Sequence, residues 1–154
     1  MIVSLMHRFA FLAVALPVLF LSGCSLFGDP GDPMETLREQ VRATVADADR
    51  VEDMLTTVDH IDQLLIESAE VLVEAARQER VLLLDYDSTP QDFEALFSEA
   101  ARKRKTLQEA TLDAHLDFKA KATAEEWQSI LPVHATAITM RVESLVVAAI
   151  AERG

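Results

Sequence analysis

The chain has 154 residues and a formal charge of −12; half of its residues are hydrophobic and 6% are aromatic. That length leaves room for one domain after an export segment, and the acidity disfavours nonspecific nucleic-acid binding. With four Gly, five Pro, no Asn and an apolar content drawn mainly from Ala, Leu and Val, an all-α class is expected, because those residues suit helix packing better than a sheet.

The first 23 residues divide into a short head with His7 and Arg8, an apolar stretch from Phe9 to Phe20, and a small-residue end, Leu21-Ser22-Gly23. These are the three regions of a secretory signal. The apolar stretch falls short of the roughly 18–20 residues that a spanning helix needs. Leu21-Ser22-Gly23-Cys24 resembles the bacterial lipobox, in which a lipoprotein-specific peptidase cuts before a cysteine that already carries a diacylglyceryl thioether. The resemblance implies that Cys24 becomes an acylated N-terminus and that residues 1–23 are removed, taking Arg8 with them and leaving the chain at −13. Several acyl chains anchor far more firmly than one. Ser25, where Asp would favour retention in the inner membrane, implies the periplasmic face of an outer membrane. As the chain has one cysteine, no intramolecular disulfide can form.

Residues 24–33 form the expected lipidated N-terminus and tether. Ser25 to Pro33 holds two Gly and two Pro in nine residues, a turn-rich spacer able to reach roughly 30 Å when extended. The helical domain is expected over 34–154.

From Leu37 through Val41, Val45, Ala48, Val51, Leu55, Val58, Ile61, Leu65, Ala69 and Leu72 to Ala76, apolar residues advance by threes and fours, the period of an amphipathic helix. Read as one rod from Met34 to Tyr86, it is roughly 80 Å long. The alternative breaks it around Thr56 to Asp59, where β-branched residues lower helix propensity and Asp59 offers a cap, giving four helices instead of three. Asp87-Ser88-Thr89-Pro90 predicts the next start, with Pro at the first helical position and Asp92 complementing the helix dipole. Phe93, Phe97, Ala100, Leu107, Ala114 and Phe118 are its expected buried stripe.

Thr123-Ala124-Glu125-Glu126 is a capping box and predicts a sharp corner before a last helix. Pro132 should kink that helix or sit in its first turns. Trp127, Ile130, Leu131, Ala137, Ile138 and Leu145 mark its core side. Leu145-Val146-Val147-Ala148-Ala149-Ile150-Ala151 is apolar on every face, so it is expected to be enclosed in the domain or paired with a partner, and Val146 and Ala149 are its candidate contact residues. The architecture expected is a long-helix antiparallel hairpin or a bundle of three or four helices.

No catalytic constellation is present. Glu-x-x-His pairs, C-x-x-C-H, H-E-x-x-H, G-x-S-x-G and a phosphate-binding Gly-rich loop are all missing from the sequence, so neither an enzyme nor a cofactor is expected. His115 and His134 lie eight and eleven residues from the corner at Thr123, so a reversal there brings them within a turn or two of each other. They are the candidate metal ligands, with Asp113 or Asp117 as an assisting carboxylate. Arg102-Lys103-Arg104-Lys105 is the one concentrated positive run. Arg104 falls between Ala100 and Leu107 on the expected stripe, where it would pair with an acid of the long first helix or dock an anionic partner.

Thr123-Ala124-Glu125-Glu126-Trp127 and Thr89-Pro90-Gln91-Asp92-Phe93 resemble the Leu-Thr-x-x-Gln repeats of small periplasmic helical proteins of the Spy and CpxP kind and of related periplasmic metal sensors, whose long helices form a hairpin dimer. Ala122 and Trp127 replace the Leu and Gln of that pattern, and the match covers these helix starts alone, so no ligand position carries over. Three functional expectations follow: a noncatalytic envelope scaffold working through an envelope protein partner or a homodimer; a chaperone or stress sensor as the resemblance implies; and a His-based metal sensor.

Overall fold

The computed structural model describes residues 31–151. Cys24, the expected export segment and most of the expected tether lie outside the described residues. Within them there are four helices and no strand: α1 Pro33–Thr44, α2 Ala48–Leu84, α3 Pro90–Lys121 and α4 Ala124–Ala151.

The long first rod is interrupted at neither end of the stretch expected from Thr56 to Asp59. Thr56 and Thr57 stay helical and donate their hydroxyls to the carbonyls of Glu52 and Asp53 one turn back. The break is at Val45-Ala46-Asp47. Val45 closes α1 and is buried, and Asp47 caps α2 by accepting the Arg50 N–H at 2.9 Å, an interaction that contributes about 1 kcal/mol. The physical reason for the reversal is tertiary: Met34, Leu37 and Val41 turn back into the same core as Met54, Val58 and Ile61. Asp32 caps α1 in the same manner, accepting the Met34 N–H, with Pro33 in the first turn.

At the far end of α2, Thr89 donates its backbone N–H and hydroxyl to the Asp92 carboxylate at 2.8 and 2.7 Å, fixing the start of α3. At the corner between α3 and α4, the Thr123 N–H donates to Glu126 and the Glu126 N–H donates to the Thr123 hydroxyl, which is the reciprocal cap expected there. Glu126 also takes two hydrogen bonds from the Arg50 guanidinium, both at 2.8 Å, so the corner is clamped to the start of α2. The Arg50 hydrogen bonds and the Thr123 backbone N–H hold the Glu126 carboxyl down at about 2.

Lys121 next to Asp53 and Thr57 next to Asp117 establish that α3 runs antiparallel along α2. Arg50 to Glu126 and Arg141 to Asp62 make α4 parallel to α2, and Arg38 to Asp59 makes α1 antiparallel to it. Thus α1, the first half of α2, the end of α3 and the first half of α4 enclose a common core in which Phe118, Met34, Leu37, Met54, Ile61 and Ile130 are the largest fully buried side chains. Beyond about Leu65 and Leu107, α2 and α3 continue as a two-helix arm with no fully buried side chain.

Pro132 lies inside α4, which runs through it without a break. The ring removes the N–H that would reach the Gln128 carbonyl, yet nine residues into the helix that loss does not end it.

Candidate functional site

Three features stand out on this frame: the outer face of α4, a groove along the arm, and the histidines near the corner.

The last three turns of α4 are not enclosed by the rest of the domain, contrary to one of the two readings of that apolar segment. Val142, Val146, Val147 and Ile150 are exposed, the last two at 66% and 61%, while Leu145 and Ala149 are half-buried. The cause is rotational. Ile130, Ala137 and Arg141 turn toward the core and Asp62, and at 100° per residue Val142, Val146 and Ile150 then point away. Leu131, expected on the core side, is exposed on this same outer face. By length and composition α4 could cross a membrane. However, the 2.6 Å hydrogen bond from the Arg141 Nε to the Asp62 carboxylate and the packing of α4 on α1 and α2 fasten it to the domain.

Between α2 and α3 on the arm runs a groove of about 480 Å³. Val71, Ala75, Leu96, Ala100 and Leu107 give it an apolar floor, and Glu67, Glu70, Glu74 and Glu99 face Arg102 and Lys103 along its rims. The Arg77 and Gln78 side chains donate to Glu74 and hold its carboxyl at about 2. The basic run is therefore placed differently from expectation. Arg104 is exposed and makes no ion pair among the described residues, whereas Arg102 and Lys103 pair with Glu99 and line the groove. On the arm, Leu96, Ala100 and Leu107 are half-buried and line the groove together with Lys103, whereas Phe97 and Arg104 are not among its lining residues. Phe97 is exposed.

The corner at Thr123 brings His115 and His134 together. His134 Nε2 stands 3.2 Å from His115 Nδ1, with the ring planes at 85°. Phe118 stacks on His134, with centroids 5.3 Å apart, and the Trp127 centroid is 5.7 Å from the same ring. Trp127 is half-buried, packs edge-on against Phe118, and carries the Lys119 ammonium 6.0 Å from its centroid. Burial lowers both imidazoles, and the neighbouring His115 adds to the effect on His134, which falls to about 4. Both rings are therefore neutral at pH 7.

The assisting carboxylates are not at this pair. Asp117 is held by the Lys121 ammonium and the Thr57 hydroxyl on the α2 side of α3, and Asp113 is two residues before His115, about 200° away around the helix. No cluster of three or more His, Cys, Asp or Glu suited to a metal occurs among the described residues. His60 is exposed on α2, at about the level of His115 in the antiparallel α2–α3 register, and is not part of the pair. The pairing of His115 with His134 was legible from their distances to the capping box, whereas the aromatic wall of Phe118 and Trp127 around them carried no separate signal.

No family model, no curated protein and no solved structure matches this chain.

Proposed function

We propose that this chain is a noncatalytic interaction protein of a bacterial envelope, tethered to the periplasmic face of the outer membrane through an acylated Cys24 and working through the outer face of α4. The observation that carries the reading is the uncovered apolar surface of Val142, Val146, Val147 and Ile150 on a helix whose opposite face is fastened to the core. A contiguous apolar patch on the surface of a folded domain is a mark of an interaction site. The lipobox-like Leu21-Ser22-Gly23-Cys24 supports the tether, and the acidic composition supports a protein partner over nucleic acid.

The test separates anchor from surface. Metabolic labelling with a radiolabelled fatty acid should mark the native chain and not Cys24→Ala. Mild crosslinking in the native envelope should recover one partner, or a second copy, with the native chain and lose it with Val146→Asp combined with Ala149→Asp. Recovery unchanged by the double substitution overturns the surface assignment.

The groove on the arm favours a second reading, a chaperone-like cradle with an apolar floor and charged rims. In that case many unfolded proteins would be recovered in place of one, and the α4 variant would still retain them.

A further inference from the structure

We propose that His115 and His134 form an open two-histidine site for a borderline divalent transition-metal ion, with Cu2+ bound more tightly than Zn2+ or Ni2+. The proposal is independent of the tether and of the α4 surface.

The separation of the two facing nitrogens, 3.2 Å, fits a hydrogen bond between the rings. It also fits shared coordination: two imidazole nitrogens each about 2.0–2.1 Å from one ion stand about 3.3 Å apart at a tetrahedral angle and about 2.9 Å apart at the right angle of a tetragonal ion, and the observed separation lies between the two. The exchange from one state to the other needs almost no movement of the helices. In the free pair, one facing nitrogen carries the shared proton. On binding, that ring shifts its proton to its other nitrogen, both facing lone pairs turn to the ion, and no net proton is released.

The rings are held for this. His115 stands on α3 and His134 on α4, the Thr123–Glu126 cap with its Arg50 clamp fixes the corner between them, and Phe118 fixes the plane of the His134 ring by stacking. Both residues remain partly exposed, so an ion can enter. Because the Asp117 carboxylate is taken by Lys121 and Thr57, the protein supplies two ligands and leaves the others to water or a small ligand. Two imidazoles without thiolate select against Cu+ and against the hard ions Ca2+ and Mg2+, and among divalent ions the order of stability puts Cu2+ first.

Trp127 is the one tryptophan of the chain, and its ring lies 5.7 Å from that of His134, so its emission reports the site. The full chain in detergent at pH 7.4 should show saturable quenching by Cu2+ complete at one equivalent. His115→Gln and His134→Gln should each weaken the midpoint at least tenfold, and His60→Gln should leave it unchanged. An unshifted midpoint in either corner variant with its helical circular dichroism intact overturns the site. Should a variant lose its fold, the electron paramagnetic resonance of Cu2+ on the native chain decides instead: splitting from two imidazole nitrogens supports the pair, and splitting from one or none refutes it.

Discussion

The two ends of the α2–α3 hairpin are built from similar helices and differ in what they bury. Near the Thr123 corner, α1 and α4 close over the hairpin, and Phe118, Met54, Ile61, Ile130, Met34 and Leu37 lose all contact with water. Along the arm the same two helices meet through Val71, Ala75, Leu96 and Ala100, which leave a groove, and the ion pairs there, Arg77 with Glu74 and Arg102 with Glu99, lie on the surface, where each contributes little. Stability is therefore concentrated at one end, and surface capable of recognition at the other and on the end of α4. Helix content alone does not distinguish these regions; burial does.

The comparison breaks most visibly at Phe118. Truncation to Ala removes a fully buried ring that also touches Trp127 and His134, and the expected loss is about 3–5 kcal/mol, read from the midpoint of denaturant unfolding. An equal loss from Leu72→Ser on the arm would show that the core is not where the stability lies.

A second, smaller effect is acid sensitivity. His134 is lowered from an ordinary 6.5 to about 4 in the fold, chiefly by burial, and His115 is lowered in the same direction. The unfolded chain thus binds protons that the folded corner refuses, so the contribution is complete above about pH 6.5 and is lost as pH falls toward 4. Allowing for solvent screening of partly exposed rings, it is on the order of 1–2 kcal/mol. Glu126 behaves differently, because its stabilising ionised form is retained until pH falls through its window from about 4.5 to 2. Thermal unfolding followed from pH 8 to 5 should show the first loss, and His134→Gln should flatten that slope while leaving the one well below pH 4, where Glu126 still titrates, in place.

The smallest effect is expected on the arm. Leu72→Ser changes a side chain that is already 43% exposed, so global stability should move by no more than about 0.5 kcal/mol. Hydrogen exchange sharpens the contrast: amides of 70–84 and 92–104 should exchange through local opening, ahead of those in 54–64 and 112–120.

How much of this was readable from sequence depends on whether a signal was local. The starts of α3 and α4 are set by side chains within three residues of the turn, Thr89 with Asp92 and Thr123 with Glu126, so Pro90 and the capping box revealed them. From those starts, the meeting of His115 with His134 was a matter of counting. The end of α1 was hidden because Val45-Ala46-Asp47 contains no Gly or Pro and keeps the apolar period going; what turns the chain is the fit of Leu37 and Val41 into the core. The β-branched pair Thr56-Thr57 gave a false break, since a threonine hydroxyl can be satisfied within the helix. On the arm, Ala100 and Leu107 face α2 as expected, but beside them Leu96 lines the groove instead of Phe97, and Arg104 stays exposed while Lys103 lines it; which flank of the stripe turns inward is set by the partner helix and carries no signal in α3 alone. The exposed end of α4 depended on which face Arg141 takes, which only the Asp62 partner determines.

The turn at Val45–Asp47 also sets where the chain enters the domain. Because α1 doubles back along α2, with Arg38 beside Asp59, Pro33 enters near the middle of that helix instead of at its end. A chain joined at the start of α2 would carry the tip of the arm about 55 Å away, whereas joined at the waist it carries it about 30 Å. On the proposed tether, the compact end is therefore a counterweight to the arm, as on a balance beam held at its waist.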